Sequence, residues 1–161
     1  MHGSLDELSG RTCLIGGYEP VAESSSHGRI IWDCAWSLDD KIFVTASRDK
    51  TVRVWSGTDP VGKAIATIKL EEAATAVALT DLDKRRVLAI GLETGHVLLY
   101  TSTLDSPDKW TSEATLGGSV ASVGQVHRLS WQPGKQLDPD VKRLAMCSED
   151  RTVRILDVYF K

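Results

Sequence analysis

The 161-residue sequence is 42% hydrophobic and 25% charged, the make-up of a globular domain with a core of its own. A formal net charge of −3 excludes general attraction to nucleic acid or an anionic membrane. Cys13, Cys34 and Cys147 stand far apart without a CxxC pair, which argues against a zinc or disulfide framework and for a reducing compartment.

In chain order, the opening MHGSLDELSG is polar, carries two acids and does not read as a signal peptide. No apolar run approaches the roughly 20 residues that span a bilayer. "RTCLI" and "YEPVAES" read as the last two strands of a unit whose start is missing. A full unit follows, with strands near Ile30–Trp36, Ile42–Ser47, Thr51–Trp55 and Ala64–Ile68. A second gives Ala74–Thr80, Val87–Gly91, Val97–Thr101 and Trp110–Leu116. The third gives Val126–Trp131, Arg143–Ser148 and Thr152–Val158, with no fourth strand. Short runs rich in Val, Ile, Thr and Trp between Gly, Asp, Pro and Ser support strands, and no stretch keeps a 3.6-residue period.

The units are copies of one another. "SRDKTVRVW" at Ser47–Trp55 returns as "SEDRTVRIL" at Ser148–Leu156, identical at five of nine positions. Between them lies a degenerate copy, "TAVALT" then "RVLAIGLETGHVLLYT", with Tyr100 in the place of Trp55. Trp55, Tyr100 and Leu156 are 45 and 56 residues apart, the longer interval carrying the extra polar stretch "QPGKQLDPDVK". The units divide the chain at 27–70, 71–119 and 120–161, with 1–26 as a tail and the end of a preceding unit.

Four-stranded units of about 40–45 residues, with a His ahead of the first strand and a Trp closing the third, resemble the WD-repeat family. The resemblance implies an all-β fold, a partial β-propeller of about three four-stranded blades plus the end of another. It also implies a structural hydrogen-bond network in the first unit, through His27, Thr45 or Ser47, Asp49 and Trp55. Here Ser26 replaces the family's Gly before His27, and Ser56 replaces the Asp after Trp55. The later units have lost the His and Trp, keeping only the Asp150 turn and Asp157 in the third.

"HGRIIWDCAWSLDDKIFVTASRDKTVRVW", "AIGLETGHVLLY" and the closing "SEDRTVRI" are further similar to the family of WD-repeat subunits of Elongator, from Tyr18 to about Val158. Those subunits are much longer, so the chain reads as a fragment or truncated gene product whose open arc and unpaired last strand make it marginal alone. The resemblance implies a non-catalytic scaffold of the cytoplasm and nucleus with no cofactor. Its partners would be Elongator's largest subunit and its catalytic radical-SAM and acetyltransferase subunit, with tRNA contacted indirectly and wobble-uridine modification and RNA polymerase II transcription as the processes served. The alternative is a WD-repeat adaptor of another complex, such as a ubiquitin-ligase substrate receptor.

Residues that could carry chemistry have blander readings. His27, Ser47 and Asp49 mimic a catalytic triad, but Trp55 at the family spacing makes them structural. His96 and His127 are isolated, Asp39–Asp40 and Asp138–Asp140 sit in turns, and "GGSVASVGQ" has no phosphate-loop Lys. "DKRR" gives a basic turn, Lys84, Arg85 and Arg86, read as a solvated loop with docking as its other use. Trp32, Trp36, Trp110 and Trp131 are candidate interface residues, and packing between blades explains Trp36 and Trp131 equally well.

Overall fold

The computed structural model describes residues 27–59, 62–117, 120, 122–134 and 140–160. The strands expected in "RTCLI" and "YEPVAES" lie outside the described residues. Among the described residues there is no helix, and eleven strands form three antiparallel sheets.

The first sheet runs in the order β1 (Ile31–Trp36), β2 (Ile42–Ser47), β3 (Thr51–Ser56), β4 (Ala66–Lys69). The second has β5 (Ala74–Leu82), β6 (Arg85–Leu92), β7 (Val97–Thr103) and β8 (Thr111–Leu116) in the same order. The third holds β9 (Val126–Trp131), β10 (Val141–Ser148) and β11 (Val153–Tyr159), and no described residue pairs with the free edge of β11. Each innermost strand is bulged at the same place, next to Ile31, Ala74 and Val126. Beside the β11 edge runs a groove of about 590 Å³ between β8 and β11, floored by Leu99, Leu116, Leu156 and Val158.

The sheets stack face to face in chain order, with β5 against β1 and β2 on one side and β9 on the other. Ile42, Val44, Ala46, Val52 and Val54 pack with Val77, Leu79, Leu88 and Ile90 between the first two sheets. Ala76, Ala78, Val87, Ala89 and Val97 pack with Leu129, Trp131, Leu144 and Met146 between the second and third. Covered on both faces, the second sheet has no polar side, which is why "RVLAIGL" reads as a continuous apolar run rather than an alternation. Each such Val, Leu or Ile stabilises the fold by about 1.5–3 kcal/mol.

The tight turns repeat as well. Lys50, Gly95 and Arg151 hold one equivalent turn position in the three sheets, and all three have positive φ, at 64°, 90° and 65°. In the first and third turns the preceding Asp49 or Asp150 clamps the loop, accepting from the amides of Thr51 and Thr152. The middle turn has Thr94 instead of Asp, and there the left-handed residue is the glycine, which needs no clamp.

One alternative is decided and one expectation corrected here. Trp36 is 54% exposed, because it stands on the face of the first sheet turned away from the second, which disfavours core packing for it. "DKRR" is not a four-residue turn: Leu82 pairs with Arg85, so the hairpin turns on Asp83 and Lys84 and both arginines belong to β6.

Candidate functional site

The first sheet carries a directional chain of side-chain hydrogen bonds. An indole N–H can only donate, and Trp55 Nε1 gives to Thr45 Oγ1 at 2.9 Å. The Thr45 hydroxyl is then free to give to His27 Nε2 at 2.7 Å, leaving His27 Nδ1–H for Asp49 Oδ2 at 2.9 Å. Asp49 also accepts from the amides of Gly28 and Thr51 and from the Thr51 hydroxyl. Burial pushes its carboxyl pKa up, but the bonds from Thr51, His27 and Gly28 outweigh that and hold it well below the usual carboxylate range.

Ser47 stands outside this chain. Its hydroxyl donates to Ile30 O at 3.0 Å and accepts from the Asp49 amide at 3.1 Å, tying the start of β1 to the turn. Thr45, not Ser47, occupies His27 Nε2, so the nucleophile-to-base contact of a triad is not made. His96 Nδ1 meets Thr94 Oγ1, His127 is exposed, and among the described residues no three His, Cys, Asp or Glu side chains are grouped to hold a metal ion.

The third sheet builds a different node around Asp150, which accepts from Ser148 Oγ, from the amide and hydroxyl of Thr152, and from Arg154 Nη1 at 2.9 Å. These bonds, the Ser148 and Thr152 hydroxyls foremost, hold its pKa well below the ordinary value. Arg154 was not singled out from the sequence; its i, i+4 spacing from Asp150 was the available signal. Arg143 grips Asp157 with two hydrogen bonds, Nε to Oδ1 at 2.7 Å and Nη2 to Oδ2 at 3.0 Å.

Charged side chains also lock the sheets together. Arg86, read as solvated, has a side chain only 1% exposed; its Nη2 donates to Asp39 Oδ2 of the first sheet at 2.5 Å and its Nη1 to Leu104 O. Its Nε lies 3.9 Å from Asp81 Oδ1 and makes no hydrogen bond. Burial raises the pKa of Asp81, against the pull of Arg86 and, from the third sheet, Lys142. Lys84 and Arg85, by contrast, are exposed as expected. On the inner strands, Asp33 takes the Val77 amide at 3.1 Å with one oxygen and Arg128 Nη1 at 2.5 Å with the other. Thr75 Oγ1 donates to Val126 O, and Trp131 Nε1 to Ala78 O.

Residues 18–56 match the WD40 family (WD domain, G-beta repeat), a stretch that ends one residue past Trp55 of the hydrogen-bonded chain. That stretch of the chain carries a WD repeat. The chain is also similar to Elongator complex protein 2 of Drosophila melanogaster, 38% identical over 158 residues that cover 88% of this chain and 19% of that protein. Elongator complex protein 2 of Homo sapiens is 34% identical over 154 residues, 82% of this chain and 19% of its own length. That of Arabidopsis thaliana is 30% identical over 152 residues, 87% and 18%. The chain therefore spans about a fifth of the length of the curated relatives it matches. In WD-repeat terms, the first sheet is a blade with the His–Thr–Trp–Asp network, and the third replaces it with the Asp150 node and the Arg143–Asp157 pair.

Proposed function

We propose that this chain is part of the WD-repeat subunit of Elongator and acts as a non-catalytic scaffold. The supporting observation is the 38% identity over 158 residues to a protein named Elongator complex protein 2, reaching across all three blades. Under this reading its partners are the largest subunit and the catalytic radical-SAM and acetyltransferase subunit. tRNA wobble-uridine modification and RNA polymerase II transcription are the processes it serves, in the cytoplasm and nucleus. The geometry is in keeping with support rather than reaction: the best-organised polar groups, His27 with Asp49 and Arg86 with Asp39, are engaged by each other and by neighbours within the protein. Affinity capture of the protein from its own cells tests this. Elongator's largest and catalytic subunits are expected in the eluate, and ubiquitin-ligase components in their place would favour the adaptor reading. Normal assembly with abolished tRNA modification in a variant of this chain would overturn the scaffold assignment.

A further inference from the structure

Of the five prolines in the sequence, only Pro107 follows a serine or threonine, in the run "LDSPDKW" between β7 and β8. Ser at the first place and Pro at the second favour a tight turn, and the Lys109 amide closes one by donating to Ser106 O at 3.1 Å. The Ser106 amide donates to Thr103 O at 3.2 Å. The Ser102 hydroxyl and the Trp110 indole hold Ser106 O and Pro107 O at 2.7 and 2.9 Å. All of these bonds use the backbone of the pair. The half-buried Ser106 keeps a hydroxyl with no hydrogen-bond partner among the described residues. Pro107 disfavours helical backbone at Ser106 and has no N–H of its own, so the two present an extended pair at the tip of the second blade.

Uncommitted positive charge lies beside this turn. The β5–β6 hairpin is its neighbour: the Leu104 amide donates to Lys84 O at 3.2 Å, and Arg85 pairs with Thr103. Arg86, Arg128, Arg143 and Arg154 are each taken up by an aspartate. Lys84, Arg85 and Lys109 are exposed, and their side chains have no ion-pair partner among the described residues. Asp83, Asp105 and Asp108 stand in the same two connections, three acids against three free cations, so the tip is neutral.

We propose that Ser106 is a phosphorylation site for a proline-directed serine/threonine kinase, and that Lys84 and Lys109 hold the phosphate. Pro107 is the following residue that such a kinase selects, and Lys109 is the cation two places further on. In the transfer the bond from Ser106 Oγ to the γ-phosphorus of ATP forms as the β–γ anhydride bond breaks. ADP leaves with the bridging oxygen, and the hydroxyl proton passes to the catalytic carboxylate of the kinase. The turn opens locally to enter the kinase, as exposed connections are the first parts of a fold to open. The new group carries about −1.5 to −2 charges at neutral pH, which turns the tip from neutral to negative. Asp105 and Asp108 repel it, so its retention rests on the flexible stems of Lys84 and Lys109. The phosphate then ties the β7–β8 turn to the β5–β6 hairpin and masks the basic residues that the hairpin would offer to an acidic partner.

Incubation of the full chain with a purified cyclin-dependent kinase and ATP tests this, with Ser106→Ala, Pro107→Ala and Lys84→Ala beside it. Intact mass should show one added phosphate on the parent chain and on Lys84→Ala, and none on Ser106→Ala. Pro107→Ala should react about tenfold more slowly. The phosphorus-31 signal should titrate about 0.5 pH unit lower in the parent chain than in Lys84→Ala, because a nearby cation favours the dianion. Peptide mapping of the protein from its own cells, with phosphatases inhibited, should find the same phosphate. An added phosphate that persists in Ser106→Ala would overturn the site. So would a full chain left unmodified while a free peptide of residues 101–112 reacts, or an unmodified Ser106 in the cells. Equal titration in the parent chain and Lys84→Ala would overturn the lysine clasp.

Discussion

Arg86 and Asp39 join the second blade to the first through a 2.5 Å charged hydrogen bond, with the arginine side chain 1% exposed. Removing one partner of a buried pair leaves the other desolvated and unpaired, which costs about 3–5 kcal/mol. Arg86→Met should therefore lower stability by about that much in a denaturant titration. Lys84→Glu, at the exposed tip of the same hairpin, should stay within about 0.5 kcal/mol. Equal effects at the two positions would show that the pair does not hold the blades.

Thr45 is the middle of the Trp55-to-His27 chain, accepting from one and donating to the other. Thr45→Val keeps the shape and strands both partners, so a loss of about 2–3 kcal/mol is expected by thermal or chemical unfolding. Ser47→Ala should also be destabilising, but through the start of β1, seen as faster hydrogen exchange around Ile30 and Arg48, with the Trp55 environment unchanged. Perturbed Trp55 fluorescence in Ser47→Ala would contradict that division of roles.

Acid should loosen the junction of the first two blades. Burial raises the Asp39 pKa, but the hydrogen bonds from Ser37 and Arg86 outweigh it and hold the carboxyl at about 2. A depressed acid contributes stability that is complete above its unfolded pKa of 3.8 and disappears as pH falls through about 2. With the carboxylate partly open to water, the contribution is about 1 kcal/mol. Asp39→Asn should flatten the stability–pH slope between those values, and an unchanged slope would remove Asp39 from the acid response.

Gly91 lies where the second blade touches the third: an added Cβ would stand 2.6 Å from Val126 Cγ1 and 2.7 Å from its Cβ. Gly91→Ala should cost about 1–3 kcal/mol through overpacking. Val126→Ala in the same chain should recover part of that loss, which a double-mutant cycle of unfolding free energies will read as favourable coupling.

The sequence told most about what depends on local period and spacing. The strands from Ile42–Ser47 to Val126–Trp131 lie within a few residues of their expected places because alternation and turn residues mark them. His27, Thr45 or Ser47, Asp49 and Trp55 could be named together because the WD-repeat resemblance implies such a network, and the structure puts Thr45 in it. Arg86 was misread because a basic run beside Asp83 looks like a wet loop; its burial is decided by Asp39, 47 residues away in another sheet. Trp36 could not be decided from its type, which suits a core and an interface equally; only the structure shows it on a face with little against it among the described residues.

The inner strands carry one more consequence. Asp33, Ala76 and Arg128 are equivalent positions in the three blades, each paired just past the bulge, with Ala46, Gly91 and Cys147. The acid of the first and the base of the third form a salt bridge, and the same acid accepts from the Val77 amide of the second. The second blade has neither an acid nor a base at this position, so the repeats, though copies in shape, are not exchangeable parts. Swapping the first and second blades, or duplicating the second, would break a contact that spans three units, and any redesign of this arc has to treat the trio as the smallest unit that can be moved.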